Sequence, residues 1–216
     1  MKKQHPIKIL IAQGEHQQLD FKFEISDAAK IARSLVAFAN TDGGKLLIGV
    51  KDNGVIAGVR SEEEKFMIEN AAQRYCEPEV QFKSKAWMVD GKQVLEIDIP
   101  VSKSIPHRAY DQQNENYKAF VRVNDQNLLA NGVLMKVWKK RESGKNIHFE
   151  YSAVAQKLLG HLKDKEQITL AETKKTTGLS KFKAEQLLSD LIILEIIEMQ
   201  MSENETIFRL SEKQAK

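Results

Sequence analysis

The sequence predicts an α+β fold, in which a mixed or antiparallel sheet packs against helices and a smaller C-terminal domain follows. Three observations support this class. Residues 19–59 have the patterns of a strand, a helix, a sharp turn and a buried strand in succession. Two β-like runs flank Asp90-Gly91, a dipeptide favoured in two-residue hairpin turns. Beyond Tyr151 the apolar residues recur at helical spacing, which predicts a second domain.

The 216-residue chain has an ordinary globular composition, with 42% hydrophobic and 29% charged residues. Its formal net charge is +3, so affinity for nucleic acid has to come from a local patch rather than from bulk charge. The single cysteine, Cys76, excludes an internal disulfide and a cysteine-based zinc cluster. No apolar run approaches the ~20 residues that cross a bilayer, and residues 1–6 are not followed by a secretory apolar core. We therefore expect a cytoplasmic protein.

The first domain begins with elements whose patterns are clear. An alternating apolar run predicts a strand, and an apolar run at helical spacing predicts a helix with Ser26 or Asp27 as its N-cap. Asparagine and glycine residues then favour a sharp turn, and two short apolar runs around the tight-turn residues 51–54 predict a hairpin. The strand, helix, turn and hairpin are assigned to residues 19–23, 25–39, 40–44 and 46–59.

The rest of the first domain is predicted as a helix, a second hairpin, a loop, a strand and a closing helix. The first of these helices ends before Pro78, and the hairpin turns at Asp90-Gly91. A polar segment that contains Pro106 has the composition of a surface loop. The hairpin strands, loop, strand and closing helix are assigned to residues 80–89, 94–99, 101–118, 118–123 and 128–138, within a domain of residues 1–140.

A basic stretch around Ser143-Gly144 predicts a linker over residues 141–149. Three helical segments and a hairpin follow it, in an order that looks like a winged helix-turn-helix domain. Gly178 permits a sharp turn before the third helix, and Ser180 can cap that helix. The domain spans residues 150–216, with its helices at 151–162, 169–177 and 182–198 and its wing at 199–210.

Several separated motifs carry a family resemblance. Glu15 is followed after four residues by Asp20-Phe21-Lys22, and the phrase AFANTDGGKLLIGVKDNGVIAG comes later. Further matches, at residues 99–107 and 119–124, keep the same order. Over roughly residues 15–134 the chain therefore resembles the Schlafen/AlbA-like domain, which in bacteria is often described as a divergent AAA, ATP-binding or transcriptional-regulator domain. The resemblance implies an α+β domain that binds nucleic acid.

Glu15, Asp20 and Asp52, with Lys22 beside them, are the first candidate site. Animal Schlafen proteins that resemble this domain include RNA endonucleases that use an acidic triad in these motifs. The resemblance thus implies catalytic carboxylates that hold Mg²⁺ or Mn²⁺ and support divalent-metal-dependent cleavage. Asp20 is shorter than the usual Glu, however, and Lys51 stands where many members carry Asp. The alternative is that Asp20 and Lys22 form a solvated ion pair and that Asp52 is an ordinary turn residue.

The glycine-rich turn at residues 40–44, followed by Lys45, is the second candidate. Glycine-rich backbone can present N–H groups to a phosphate, which is the physical basis of the ATP-binding label in the family. These glycines follow a helix and precede a strand, the reverse of the P-loop order, and the pattern G-x-x-x-x-G-K-[ST] is absent. We therefore expect a structural turn and no ATPase activity.

Basic and polar residues are the third candidate site. In the first domain they belong to motifs that neighbour one another in the family fold, although scattered solvated charge is an equal alternative. In the second domain they lie at the end of the second helix and on the first turns of the third, which is expected to read DNA. The candidates for nucleic-acid contacts are Lys45, Lys103, His107, Arg108, Arg122, Lys174, Lys175, Lys181, Lys183 and Gln186.

The sequence leaves three classes of function open. A DNA-binding transcriptional regulator is preferred. The acidic residues depart from the usual set of the family, whereas the second domain keeps the element order of a winged helix-turn-helix domain. The alternatives are a metal-dependent endonuclease acting on RNA or DNA, and a winged helix that mediates protein contacts. DNA rather than RNA is the expected partner. A homodimer is also expected, since two copies can present two reading helices to two half-sites, with Trp138 and apolar strand edges as interface candidates.

Overall fold

A computed structural model of the chain describes residues 4–59, 62–144 and 149–211. The chain divides into two compact units, Met1–Leu129 and Ala130–Lys216. Helices and mixed or antiparallel sheets occur together in the described residues, which confirms the predicted α+β class. None of the helices in these three segments is long and apolar enough to cross a membrane.

The first unit contains three helices and nine strands among its described residues. The helix α1 was not predicted; Pro6 at its first turn and the His5 side chain, which accepts a hydrogen bond from the Ile7 N–H, start it. In chain order the elements are α1 (Pro6–Ile11), β1 (Leu19–Lys22), α2 (Ala28–Ala39), β2 (Gly44–Ile48), α3 (Glu63–Arg74), β3 (Cys76–Glu77), β4 (Lys83–Val89), β5 (Lys92–Ile99), β6 (Arg108–Asp111), β7 (Asn116–Lys118), β8 (Phe120–Val123) and β9 (Gln126–Leu129).

A four-stranded mixed sheet in the order β1-β2-β5-β4 forms the centre of the first unit. The strands β1 and β2 are parallel, whereas the pairs β2–β5 and β4–β5 are antiparallel. The turn between β4 and β5 has positive φ at both Asp90 (50°) and Gly91 (75°), which confirms the predicted hairpin and its turn chemistry. Leu46, Leu47 and Ile48 are completely buried, so β2 is an interior strand.

The helix α2 is almost entirely buried and supplies much of the core of the first unit. Its N-cap is Asp27, one of the two predicted caps, whose carboxylate accepts hydrogen bonds from the N–H groups of Ala29 and Lys30. Its C-cap is Asn40, at the start of the predicted sharp turn. The sequence of helix, turn and buried strand is therefore confirmed.

The predicted strand at residues 55–59 is wrong. Its only ladder contact among the described residues is an isolated bridge between Val50 and Ile56. Both edges of β2 are already paired, with β1 and with β5, so no edge is free to accept another strand. The segment instead crosses close to β2 at two glycines, since a Cβ on Gly49 would lie 2.9 Å from the Gly58 carbonyl carbon.

The predicted loop at 101–118 and the closing helix at 128–138 also differ from the structure. The strands β6 and β7 form a hairpin within the predicted loop, and β3 pairs with β6. A further hairpin, β8–β9, turns at Asn124, which adopts φ 56°. Residues 126–129 are therefore a strand, and the next helix begins later than predicted. The cause is long-range strand pairing, which local composition does not reveal.

The second unit contains four helices and a three-stranded antiparallel sheet among its described residues, in the order β10-β12-β11. The predicted third helix ends earlier than expected, because Glu195 adopts φ 56° and a strand starts soon after it. The elements are α4 (Gly132–Ser143), α5 (Ala153–Lys165), β10 (Gln167–Thr169), α6 (Leu170–Thr177), α7 (Lys181–Ile193), β11 (Ile197–Met201) and β12 (Thr206–Leu210).

The helix α4 belongs to the second unit, so this unit starts earlier in the chain than the boundary predicted at residue 140. Lys140 joins α4 to α7, since its ammonium lies 2.6 Å from Asp190 Oδ1 and 2.7 Å from Ser189 Oγ. Residues 141–143 of the predicted basic linker are the end of this helix. Gly144 follows it in a left-handed conformation, and residues 145–148 lie outside the described residues.

Candidate nucleic-acid interface

The carboxylates of Glu15 and Asp20 lie close together at the start of the four-stranded sheet. Glu15 Oε1 accepts a hydrogen bond from the Phe21 N–H at 2.8 Å. Asp20 is 3% exposed, and its Oδ2 atom lies 2.8 Å from Lys22 Nζ. The predicted ion pair between Asp20 and Lys22 is thus present, but the carboxylate is buried rather than solvated.

Arg122 is the second cation at this carboxylate. Its guanidinium lies 3.3 Å from Asp20 Oδ1, and the residue is 2% exposed. It also donates hydrogen bonds to the Leu19 carbonyl and to Asn127 Oδ1, and it lies over the ring of Phe38. A guanidinium buried in this way does not reach the surface, where a phosphate would lie. The prediction that Arg122 contacts nucleic acid is therefore wrong.

The charges around the Glu15–Asp20 pair count against a divalent metal site. Partial burial raises the pKa of Glu15 above its usual 4.5, and the neighbouring Asp20 carboxyl raises it further. Binding of a metal ion would require both carboxyls to be ionised. The two cations at Asp20 would in addition repel a metal ion at close range.

Asp52, the third residue of the predicted acidic triad, is an exposed residue in the turn after β2. Within residues 4–59, 62–144 and 149–211, no group of three His, Cys, Asp or Glu side chains is placed to hold a metal ion. The structure therefore brings together Glu15, Asp20 and Lys22 but does not assemble a three-carboxylate ligand set with Asp52.

The glycine-rich turn is explained by close packing. A Cβ on Gly43 would lie 2.7 Å from the Ile99 carbonyl oxygen, and a Cβ on Gly44 would lie 2.6 Å from the Phe38 ring. Gly43 also has φ 65°, which disfavours other residues. Lys45, at the end of the turn, is held by two carboxylates, with Nζ 2.6 Å from Glu96 Oε1 and 3.3 Å from Asp98 Oδ2. The N–H groups of Gly43 and Lys45 donate hydrogen bonds to the carbonyls of Phe38 and Gln18, so the turn is held within the unit.

His107 is a buried structural residue and not a surface contact. Its ring nitrogens lie 2.8 Å from the Pro78 carbonyl oxygen and 2.7 Å from Ser102 Oγ. Its backbone N–H donates to Asn40 Oδ1 at 2.7 Å, while Asn40 Nδ2 donates to the carbonyls of His107 and Phe120. With the residue only 4% exposed, the prediction that His107 contacts nucleic acid is wrong.

Two basic candidates in the first unit remain at the surface. Lys103 is exposed in the segment after β5, and Arg108 is partly exposed at the start of β6. The two differ from Lys45 and Arg122, whose charges are compensated within the unit. Sequence reasoning treated all of these cations alike, because it could not distinguish a compensated charge from an available one.

The five candidates in the second unit lie around the connection between α6 and α7, and all of them are exposed. Thr169 and Glu172 form a capping box at the start of α6, and Gly178 ends that helix in a left-handed conformation. Ser180 then caps α7 by accepting a hydrogen bond from the Lys183 N–H, as predicted. The exposed candidates are Lys174, Lys175, Lys181, Lys183 and Gln186.

Acidic residues of α7 are neutralised within the second unit. Glu185 is 6% exposed, and its Oε2 atom lies 3.1 Å from Lys136 Nζ. Its carboxylate packs against the first residue of α4, where a Cβ on Gly132 would lie 2.7 Å from the carboxylate carbon. Asp190 is likewise paired with Lys140. These contacts compensate two negative charges of α7, although Glu185 also lies 4.0 Å from the exposed Lys181.

Sequence reasoning missed a cluster of three tyrosines in the first unit. The ring centroids of Tyr75 and Tyr110 are 6.5 Å apart, and those of Tyr110 and Tyr117 are 5.2 Å apart. Only the spacing of Tyr110 and Tyr117 on either side of the polar residues 111–116 could have indicated the cluster, had residues 108–118 been recognised as a hairpin.

These features define an α+β protein whose first unit carries a mixed sheet and a buried carboxylate–arginine pair, and whose second unit presents exposed lysines around the connection between α6 and α7. Residues 15–131 match the family model described as Schlafen, AlbA_2, and the chain belongs to this family. Family membership suggests a nucleic-acid-related function. Comparison with curated proteins gave no match.

Two solved structures are similar to the chain. The DIP2311 protein from Corynebacterium diphtheriae is 21% identical, with a TM-score of 0.44 over 61% of this chain and 28% of that chain. The N-terminal domain of a protein from Nitrosomonas europaea, described as related to the ATP-dependent DNA helicase RecG, is 20% identical. Its TM-score is 0.35 over 48% of this chain and 85% of that chain. This chain thus spans less than a third of the DIP2311 protein.

Proposed function

We propose that the chain is a DNA-binding transcriptional regulator and that its second unit is a winged helix-turn-helix module. The observation that carries the proposal is the exposure of Lys181, Lys183 and Gln186 on the first turns of α7, next to the lysines at the end of α6. In helix-turn-helix proteins the N-terminal turns of the second helix contact base edges, and the preceding helix meets the phosphate backbone.

The order of elements in the second unit supports the proposal. The helices α6 and α7 are joined by a short turn at Gly178, and the β11–β12 hairpin follows α7 in the position of a wing. The short strand β10 pairs with β12 and completes the small sheet. A core of apolar residues from α5, α7 and the sheet holds this arrangement, with Leu158, Leu188 and Phe208 fully buried.

The charge distribution on α7 supports contact with phosphates. Lys183 and Gln186 are exposed, and the Lys181 ammonium lies 4.0 Å from Glu185 with 73% of its side chain exposed. At this distance, and with the lysine largely exposed, the pair contributes little and is easily exchanged for a phosphate contact. Because Glu185 and Asp190 are paired with lysines of α4, a DNA backbone near the start of α7 meets a locally positive surface.

The test is the double variant Lys181→Glu/Lys183→Glu, measured by fluorescence anisotropy on a mixed-sequence duplex. We expect affinity to fall by more than ~10-fold and the salt dependence to flatten, since about two phosphate contacts are lost. The matched control is Lys157→Glu/Lys163→Glu on α5, which makes the same change in charge at exposed positions. Unchanged affinity and salt slope in the α7 variant, or an equal loss in the control, would reject α7 as the reading helix.

A metal-dependent endonuclease, acting on RNA or DNA, is the second candidate. Its support is the adjacency of Glu15 and Asp20 in the family motif, and the cations at Asp20 count against it. The discriminating measurement is cleavage of single-stranded RNA and DNA with Mg²⁺ or Mn²⁺, in wild type and in Glu15→Gln. Metal-dependent cleavage that disappears in Glu15→Gln, while the variant stays folded by circular dichroism, would favour the enzyme over the regulator.

A homodimer is part of the same proposal, because two reading helices can engage two half-sites of a palindromic operator. Trp138 is 5% exposed and is therefore not a surface anchor. The exposed Leu194 at the end of α7 is a better candidate, next to an open cavity of about 470 Å³ that is lined by Leu134 and Ile197, among others. Light scattering that gives a monomer at tens of micromolar would count against the dimer.

A further inference from the structure

The three tyrosines Tyr75, Tyr110 and Tyr117 form a continuous aromatic face on the first unit, here called the tyrosine face. Tyr75 follows α3, and its carbonyl accepts a hydrogen bond from the Tyr110 N–H at 2.8 Å. Tyr110 and Tyr117 are directly opposite each other in the β6–β7 hairpin. The planes of neighbouring rings are inclined at 53° and 58°. Backbone pairing therefore fixes the positions of all three rings.

The tyrosine face is partly open to solvent, although Tyr75 also packs against the core of the first unit. Tyr117 is 40% exposed, and Tyr75 and Tyr110 are each partly exposed. The opposite side of the β6–β7 hairpin carries the buried residues Ala109 and Asp111. One side of this small sheet is thus packed against the unit, while the other presents aromatic rings.

The charges beside the rings are few and nearly balanced. Arg108 lies two residues before Tyr110 in β6, so it points to the same side of the strand. Its cross-strand partner is Glu77 of β3, which carries the opposite charge on the same side. Lys118 is turned to the other side of the hairpin, where it forms an ion pair with Asp111. Among the charged residues of β3, β6 and β7, only Arg108 is a cation on the side of the rings, so attraction to these strands must come mainly from the rings.

We propose that the tyrosine face binds single-stranded nucleic acid by stacking of unpaired bases on Tyr110 and Tyr117, with Arg108 contacting a phosphate. Unpaired bases have free π faces, whereas in a duplex each face is covered by the neighbouring base pair. The inclined rings offer faces in different directions, which suits splayed bases and not a regular stack. The face lies in the first unit and does not depend on the proposed duplex contact through α7.

The two sites are expected to differ in salt dependence. A duplex contact that neutralises several phosphates weakens steeply as salt rises. The tyrosine face carries one available cation opposed by Glu77, so the slope of log affinity against log salt should not exceed about 0.7, the value for one phosphate of a single strand. A shallow slope for single strands and a steep slope for duplex would therefore separate the two modes of binding within one protein.

The experiment uses the full chain and fluorescein-labelled single-stranded RNA and DNA of roughly eight nucleotides, within the usual range of site sizes. Fluorescence anisotropy is measured for wild type, Tyr117→Ala and Tyr117→Phe. We expect Tyr117→Ala to weaken binding about tenfold and Tyr117→Phe to stay within about twofold, because phenylalanine keeps the ring. Duplex affinity should be unchanged in both variants.

The matched control is Tyr151→Ala, which removes an exposed tyrosine of the second unit and should leave single-strand affinity unchanged. The inference is overturned if wild type binds no single strand at micromolar protein, or if Tyr117→Ala binds as well as wild type. It is equally overturned if Tyr117→Phe is as weak as Tyr117→Ala, since the ring would then not be the contact. Binding of a proline-rich peptide in place of the oligonucleotide would assign the tyrosine face to a protein partner instead.

Discussion

The guanidinium of Arg122 lies 3.3 Å from the Asp20 carboxylate, and the two residues are 2% and 3% exposed. They are separated by 102 positions in the sequence, so this buried ion pair connects the β8–β9 hairpin to β1. A buried pair adds little stability over well-packed apolar residues, but removal of one partner leaves an uncompensated charge. The pair is therefore a sensitive test of the fold around the family motif.

Replacement of Arg122 by Met should lower the free energy of unfolding by about 3–5 kcal/mol, because Asp20 then keeps only Lys22 as a compensating charge. The double variant Asp20→Asn/Arg122→Met should recover part of this loss. Urea denaturation followed by circular dichroism measures both. The control is Lys8→Met, which removes a cation of the exposed Lys8–Asp90 pair and should cost no more than about 1 kcal/mol. Equal stability of the two single variants would contradict the structural role of Arg122.

Asn40 should be as important for stability as a large core residue. Its amide makes three hydrogen bonds, to the N–H and carbonyl of His107 and to the Phe120 carbonyl. Asn40→Ala leaves these buried groups without partners, so we expect a loss of at least about 3 kcal/mol in the free energy of unfolding. Asn53→Ala, which removes one exposed turn hydrogen bond, should cost less than about 1 kcal/mol. Thermal denaturation of both variants measures the two losses. A larger loss for Asn53→Ala than for Asn40→Ala would contradict the prediction.

The raised pKa of Glu15 predicts a particular pH dependence of stability. Partial burial and the Asp20 carboxyl raise this pKa above 4.5, so the folded state holds the proton more tightly than the unfolded state. The stability contributed by the protonated carboxyl is present below 4.5 and is lost as the pH rises through the folded-state pKa.

Glu15→Gln removes this titration while it keeps an oxygen for the Phe21 N–H. The stability of the variant relative to wild type should therefore rise as the pH increases from about 4 to 7. Urea denaturation across this range measures the difference, with the exposed Glu69→Gln on α3 as the control. A difference between Glu15→Gln and wild type that is constant with pH would show that Glu15 has no raised pKa.

Gly43 should prove to be a packing residue and not part of a nucleotide site. Gly43→Ala places a Cβ 2.7 Å from the Ile99 carbonyl oxygen at φ 65°. Gly91→Ala meets the same backbone strain, at φ 75°, but has no atom within 4 Å. We expect Gly43→Ala to lower the free energy of unfolding by more than the roughly 1 kcal/mol of strain expected for Gly91→Ala.

Wild type should show no micromolar affinity for ATP in calorimetric titration, and tight magnesium-dependent binding would contradict this.

Local patterns in the sequence determined the elements that depend on neighbouring residues. The Asp27 N-cap, the Asp90-Gly91 turn, the Ser180 N-cap and the apolar strand at Leu46–Ile48 all form as predicted. Caps and tight turns are set by residues within about four positions of one another, so a single sequence contains the information. The Glu15-x₄-Asp20 motif and the family membership were readable for the same reason.

Tertiary structure alone decided which of the predicted site residues are available to a ligand. Arg122 and His107 look like surface cations in the sequence but are buried by partners far along the chain, whereas Lys183 is left exposed. The tyrosine face likewise depends on the β6–β7 hairpin, which forms within a polar segment that was predicted as a loop. This hairpin brings Tyr110 opposite Tyr117 and beside Tyr75. Burial and pairing depend on contacts between distant segments, and the energy of a charge depends on the surroundings that these contacts create.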